Sequence, residues 1–202
     1  MAWDTDRTKR LLLDAAIDEF SRWGLAGARV DRIAAAAGVN KERIYQYFGK
    51  KDDLFRAALT AELAASRDEV PLGDGVGPDA VADYAGRLFD HHVANPRVSR
   101  LLYWEGLELG TEAGGEAGRA AYHASKTDEF ERMLPGATRA EAAELLLTLV
   151  TLVTAWQVLG QLDGYIAGGA GPADAASAAR RRRAIVDAVR SLATTLTAGA
   201  HG

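Results

Sequence analysis

Apolar residues recur at intervals of three and four along almost the whole chain, and no stretch alternates apolar and polar residues as a half-buried strand would. That pattern restricts the fold to packed helices. The first segment shows it plainly: Leu12, Leu13, Ala16, Ile17 and Phe20 fall at helical spacing, with Thr5 and Asp6 as caps and Gly24 as the stop. Ala and Leu dominate while Ile, Phe and Tyr are sparse, which also favours helix over sheet.

Glycine and proline divide the 202 residues into about nine predicted helices. Their expected spans are 6–23, 30–37, 41–48, 51–70, 79–94, 96–110, a segment from the end of a loop at Gly118 to 134, 139–162 and 173–196. Between them lie breaks at 71–78, at Asn95-Pro96, at Pro135-Gly136, and in two glycine-rich loops at 110–118 and 164–172. There is no internal repeat.

Several function classes fail on chemistry. The chain has no cysteine, so disulfides and thiolate metal sites are excluded. His91 and His92 are adjacent and point about 100° apart on a helix. With His123, Glu105 and Glu108 they lack ligand spacing, so no metal or other cofactor is expected. The run Gly73-Asp74-Gly75-Val76-Gly77 follows no strand, and no Gly-Lys-Ser/Thr is present, so a phosphate loop is not expected. None of Ser21, Ser66, Ser99, Ser125, Ser177 and Ser191 lies in a Gly-x-Ser-x-Gly turn, and no reactive constellation suggests an enzyme. The charged residues Asp4, Asp6, Arg7, Lys9 and Arg10 leave no secretory signal visible, so a cytoplasmic protein is expected. Residues 145–162 carry no charge, yet Thr148, Thr151, Thr154, Gln157 and Gln161 interrupt them. This reads as a helix buried on two sides and not as a membrane span.

Charge is distributed unevenly. Residues 1–56 carry 11 basic and 9 acidic residues, whereas 57–202 carry 13 and 19. Between positions 29 and 51 stand Arg29, Arg32, Lys41, Arg43, Lys50 and Lys51 against only Asp31 and Glu42. A locally basic segment on an acidic body can dock on phosphate. Its pattern is two short helices joined by Gly38-Val39-Asn40, with Ala34 and Ala37 small enough for a close crossing and Val39 and Ile44 as apolar pegs. Gly38 suits a helix C-terminus that needs positive φ, and Asn40 suits the next N-cap. This is helix-turn-helix geometry, in which the second helix enters the major groove.

The segment strongly resembles the TetR family of bacterial regulators. The match lies in Leu12-Leu13-Asp14-Ala15-Ala16, Phe20, Gly24, Ile33-Ala34, Gly38-Val39, Ile44-Tyr45-Gln46-Tyr47-Phe48 and Lys51 with Leu54. The resemblance implies an all-α protein: a three-helix DNA-binding domain at 1–51 and a helical ligand-binding and dimerisation domain at 52–202. It implies that Lys41, Glu42 and Arg43 face base edges or the flanking backbone, and that Gln46 also belongs to the DNA-binding residues. Tyr45, Tyr47 and Lys51 would contact phosphate, Lys51 at a helix start. Arg29 departs from the family, which usually has Thr or Ser there; it caps poorly but could reach a phosphate. Glu42 is a poor phosphate neighbour and could accept from cytosine.

The resemblance also implies a homodimer in which the last two long helices pair with their copies. Their apolar stripes place Leu149, Val153, Ile185, Val189, Leu192 and Leu196 at that interface. Arg180-Arg181-Arg182-Arg183 reads as a solvated face. Phe89, Tyr103, Trp104, Tyr122 and Trp156, with His123 and Gln157, are either ordinary core residues or the lining of a pocket for a mostly apolar small molecule. The expected partners are a palindromic double-stranded operator, that small-molecule effector and a second copy, with no membrane.

Overall fold

The computed structural model describes residues 2–110 and 117–198. Among these residues every regular element is a helix. The order is α1 (Ala2–Gly27), α2 (Val30–Ala37), α3 (Glu42–Phe48), α4 (Lys51–Glu69), α5 (Pro78–Ala94), α6 (Pro96–Glu108), α7 (Ala117–Met133), α8 (Arg139–Val158), α9 (Gln161–Ala167) and α10 (Ala175–Ala198). Residues 111–116 of the expected glycine-rich loop lie outside the described residues. Packing divides the chain into two compact units: Met1–Asp68 with Arg97–Ala113, and Glu69–Pro96 with Gly114–Gly202.

The first unit is built on Leu12, Ala16, Phe20, Ile33, Ile44, Leu54, Phe55 and Leu101, all buried. Phe20 and Phe55 meet edge to face at 5.1 Å between centroids. α6 joins this unit from a distant part of the sequence. Leu101 is fully buried, and Arg100 Nε donates to the Ser21 carbonyl at 2.6 Å. Arg97 donates to Asp18 at 3.1 Å, and Glu108 accepts from the Ala26 N–H at 2.8 Å. Burying a leucine side chain contributes about 2 kcal/mol, whereas an exposed pair such as Arg97–Asp18 adds less than about 1 kcal/mol. Apolar burial therefore holds α6, and the charges set its register.

The second unit is a bundle of α5, α7, α8 and α10 around Tyr84, Leu88, Phe89, Phe130, Met133, Leu149, Val153, Trp156, Ile185 and Val189. α8 begins with a capping box: the Thr138 hydroxyl accepts from the Glu141 N–H at 3.3 Å, and the Glu141 carboxylate accepts from the Thr138 N–H at 2.8 Å. α5 and α10 are tied by Arg182–Asp90 at 2.8 Å and Arg190–Asp79 at 2.9 Å.

Two expectations need correction here. The helix expected over 139–162 ends at Val158, and a separate short α9 occupies part of the expected loop. A Cβ on Gly160 would overlap the Pro172 ring, so glycine lets the returning chain pass close. Asp163, 6% exposed, then accepts from the Gly171 N–H at 3.0 Å and from Arg180 at 2.6 Å, fixing the return.

The second correction concerns the apolar stripes of α8 and α10. Leu149, Val153, Ile185 and Val189 are 0–1% exposed and belong to the protomer's own core. On α10 the inward row runs Ile185, Val189, Ala193, Leu196 at intervals of four and three. Leu192 sits about 60° away from Val189 around the helix, and it is 45% exposed. The outward faces instead carry Leu147, Thr151, Leu192 and Thr195.

Candidate DNA interface and effector region

α2 and α3 are joined as their sequence demands. Gly38 adopts φ 65°, ψ 30°, and its N–H closes onto the Ala34 and Ala35 carbonyls. The Asn40 carboxamide accepts from the Glu42 N–H at 3.2 Å and so holds the start of α3. Ile44 is fully buried and pins α3 to the core. Lys41, Glu42, Arg43, Tyr45 and Gln46 are all exposed, while Tyr47 is half-buried.

The exposed face is internally organised. Arg43 donates to Gln46 at 2.8 Å and to the Tyr47 hydroxyl at 3.4 Å, and its guanidinium lies 5.9 Å from the Tyr47 ring centre. Lys9 of α1 approaches the same ring at 5.7 Å. Sequence spacing did not identify Lys9, because only the tertiary packing of α1 brings it to α3. Lys41 pairs with Asp31 of α2 at 3.3 Å, and that hydrogen bond raises its pKa above the usual lysine value.

Arg29 occupies the N-cap position of α2 without a side-chain cap bond. Its role is taken by Glu19 of α1, which accepts the Arg29 N–H at 2.9 Å and Arg32 Nε at 2.7 Å. The Arg29 side chain is exposed. Lys51 is half-buried at the start of α4 and donates to the Ala28 carbonyl at 3.3 Å. One unit thus carries Lys9, Arg29, Lys41, Arg43, Lys50 and Lys51 around a helix held to its core by the buried Ile44 with Tyr47 and Phe48. That arrangement can place cations and donors against a phosphate backbone while α3 reaches base edges.

Two family models match the chain. One, "Bacterial regulatory proteins, tetR family", covers residues 12–58, and the other, "Tetracyclin repressor-like, C-terminal domain", covers 80–191. The HTH-type transcriptional repressor SCO4008 of Streptomyces coelicolor is 40% identical over 174 residues, 83% of this chain and 88% of that protein. The chain belongs to the TetR family. Among solved structures, the transcriptional regulator SCO4942 of Streptomyces coelicolor is 31% identical with a TM-score of 0.71, over 91% of this chain and 97% of the other. The fatty acid degradation regulator FadR of Bacillus halodurans has the same fold at 18% identity and a TM-score of 0.66, over 92% and 94%. TetR-family proteins are DNA-binding transcriptional regulators, not enzymes, and are typically dimeric and responsive to small molecules.

In this TetR-family chain the aromatic set read from the sequence is divided. Tyr103 and Trp104 stand on α6 in the first unit, where Trp104 packs on that unit's core beside Gly24. Phe89, 1% exposed, is a core residue of the second unit. Tyr122 is half-buried and His123 exposed on α7, their rings 5.1 Å apart. Trp156, 7% exposed, lines a cavity of about 440 Å³ with Leu159, Leu162, Ile166, Arg180 and Arg181. Trp156 Nε1 and Gln157 Nε2 are buried without a hydrogen-bond partner among the described residues. Sequence reading also overlooked Lys126, four residues after Tyr122, whose ammonium is turned toward Tyr84 and Tyr122. The interval of four was visible; the facing helix was not.

Proposed function

We propose that this chain is a cytoplasmic, homodimeric repressor that is released from a palindromic operator by a small, mostly apolar molecule. The observation that carries the reading is the exposed face of α3, where Glu42, Arg43, Tyr45 and Gln46, with Lys41 just before them, stand out beside the buried Ile44. A helix so short reads few bases, so specificity calls for two half-sites and a two-fold pair of protomers.

In this reading residues 1–51 make the DNA contacts and 52–202 serve ligand binding and dimerisation. Leu147, 60% exposed, and Leu192, 45% exposed, supply the apolar face that a second copy covers. Support comes from a groove of about 340 Å³ between α8 and α10, lined by Leu145, Thr148, Leu192 and Leu196. The effector would lodge within the second unit among Tyr122, Trp156 and Gln157. α4 carries the chain from Lys51, among the DNA contacts, to Glu69 at the edge of that unit, so repacking around its end can displace its start. Coupling of this kind is typically about 1–3 kcal/mol.

The test is selection of bound fragments from the source genome by the full-length protein, followed by gel shift. An enriched near-palindrome that is shifted by two protomers is expected. Failure of any genomic sequence to outcompete random DNA would overturn the reading.

A further inference from the structure

The chemistry of the effector is narrowed by one side chain of the second unit. α7 carries Tyr122, Lys126 and Phe130 at intervals of four, on one helical face. That face meets Tyr84 of α5. Phe130 packs on Tyr84 at 6.2 Å between centroids, and Lys126 Nζ lies 5.0 Å from the Tyr84 ring centre. Lys126 also donates to the Tyr122 hydroxyl at 3.3 Å.

A second cation, Arg87, stands 5.7 Å from the Tyr84 ring centre, but it is fully engaged by Asp83 and by the Pro71 and Leu72 carbonyls. Lys126 has no carboxylate at ion-pair distance among the described residues; Glu129 acts on it only at longer range. Burial pushes the Lys126 pKa down to about 8, with Glu129 in partial opposition. Tyr84 is completely buried, and its hydroxyl has no hydrogen-bond partner among the described residues. An interior phenol left in this state is destabilising, and a lysine stem could have carried its ammonium out to water instead.

We propose that Lys126 and Tyr84 form the anion-binding end of the effector site, and that the effector is a singly charged organic anion with an aromatic or apolar body. The inference rests on the effector-responsive reading above. Two donors, one charged and one neutral, match two oxygens of a carboxylate or sulfonate. A single ammonium balances one negative charge, which disfavours phosphates and polyanions. Tyr84, Tyr122 and Phe130 provide the apolar surround.

The test uses a matched pair of fluorescent probes with one aromatic body: 1-anilinonaphthalene-8-sulfonate, which is anionic, and N-phenyl-1-naphthylamine, which is uncharged. Both are titrated into the full chain and into Lys126→Met and Lys126→Arg. The anionic probe should bind wild type more tightly than the neutral one. Lys126→Met should weaken only the anionic probe, by about tenfold or more, the worth of a hydrogen bond to a charged group. Lys126→Arg should restore most of that loss, and unchanged neutral-probe binding reports an intact fold. Equal losses for both probes, no loss for either, or no wild-type preference for the anion would each overturn the proposal. Release of operator DNA is read separately. Release by the neutral probe alone sinks the anion site and leaves the effector reading standing. Lys126-dependent anion binding without release does the reverse.

Discussion

His91 Nδ1 lies 3.2 Å from a carboxylate oxygen of Glu69, joining the last turn of α5 to the last residue of α4. His91 is also a ring neighbour of His92, at 5.6 Å between centroids. His92 is held down to about 4 by burial, then by His91 and by Lys126. The charge of Lys126, proposed to meet an effector, thus acts on His92, the neighbour of the residue that holds the end of α4. The Glu69 side chain is 67% exposed, so this tie is worth no more than about 1 kcal/mol and is weak enough to switch. Glu69→Ala should speed amide exchange in the last turn of α4 by up to about fivefold, a factor equivalent to that energy. Exchange in α2 and α3 should be unchanged. An unaltered α4 would show that the contact transmits nothing.

Lys41 is the side chain expected to read a base. Lys41→Ala should change which bases are preferred at one operator position, with a difference of about 1–3 kcal/mol. Because Asp31 holds Lys41, Asp31→Ala should relax that preference while strengthening binding to all sequences. Affinities measured against all four bases at each operator position check this. A uniform loss with Lys41→Ala would make it a backbone contact.

The corrected face of α10 separates two kinds of variant. Leu192→Asp and Leu147→Asp place charges on the outward side and should give folded monomers by sedimentation, with operator binding severely weakened. Val189→Asp buries an unpaired carboxylate in the protomer core and should unfold the second unit, by circular dichroism. Dimers that survive both outward substitutions would exclude this face as the interface.

The fold was largely legible because apolar spacing and glycine breaks act locally. The helix-turn-helix was the most legible part, since Gly38 and Ile44 do in the structure what their positions imply; Asn40, expected as the N-cap of α3, stands one residue before the N-cap Lys41 and accepts from the Glu42 N–H. The misreadings came from tertiary effects. Gly160 looked tolerable inside a long helix until Pro172 passed beside it. Leu149, Val153, Ile185 and Val189 looked like an outer stripe because spacing identifies an apolar row without saying which neighbour covers it. Tyr103 and Trp104 were grouped with Tyr122 by type, but α6 packs with α1 in the first unit. Glu19 as the cap of α2, and Lys9 beside Tyr47, depend on contacts that no local pattern encodes.

The lowered pKa of Lys126 gives a stability prediction whose sign is fixed. In the unfolded chain this lysine binds a proton up to about pH 10.4, whereas in the fold it releases one near about pH 8. Between those values the unfolded state holds more protons, so the contribution of this group to stability rises with pH. Glu129 opposes the shift, His92 feels its charge, and Tyr84 and Tyr122 face it from both rings. Urea unfolding at pH 7.5 and 9.5 should show wild type gaining on the order of 2 kcal/mol relative to Lys126→Met. No relative gain would mean that the ammonium is solvated.

Asp163 should show a dependence of the same sign at the acid end of the scale. Burial tends to raise its pKa, but the Gly171 N–H, the Ser177 hydroxyl and Arg180 outweigh this and hold it below the usual carboxylate value. Its contribution is therefore present above the unfolded value of about 3.9 and fades as pH falls through the lower folded value. Asp163→Asn should lower the melting temperature at pH 7, and the deficit should shrink toward pH 2. A deficit independent of pH would mean that the charge is immaterial.

The central claim, that α3 and its surroundings dock on DNA with Lys51 and Tyr47 on phosphate, is met most directly by the salt dependence of operator affinity. Lys51→Ala should weaken binding to every sequence and reduce the slope of log affinity against log salt by about one unit per half-site. Tyr47→Phe should weaken binding with the slope unchanged, because its hydroxyl carries no charge. Wild-type affinity and slope retained in both variants would contradict the docking mode.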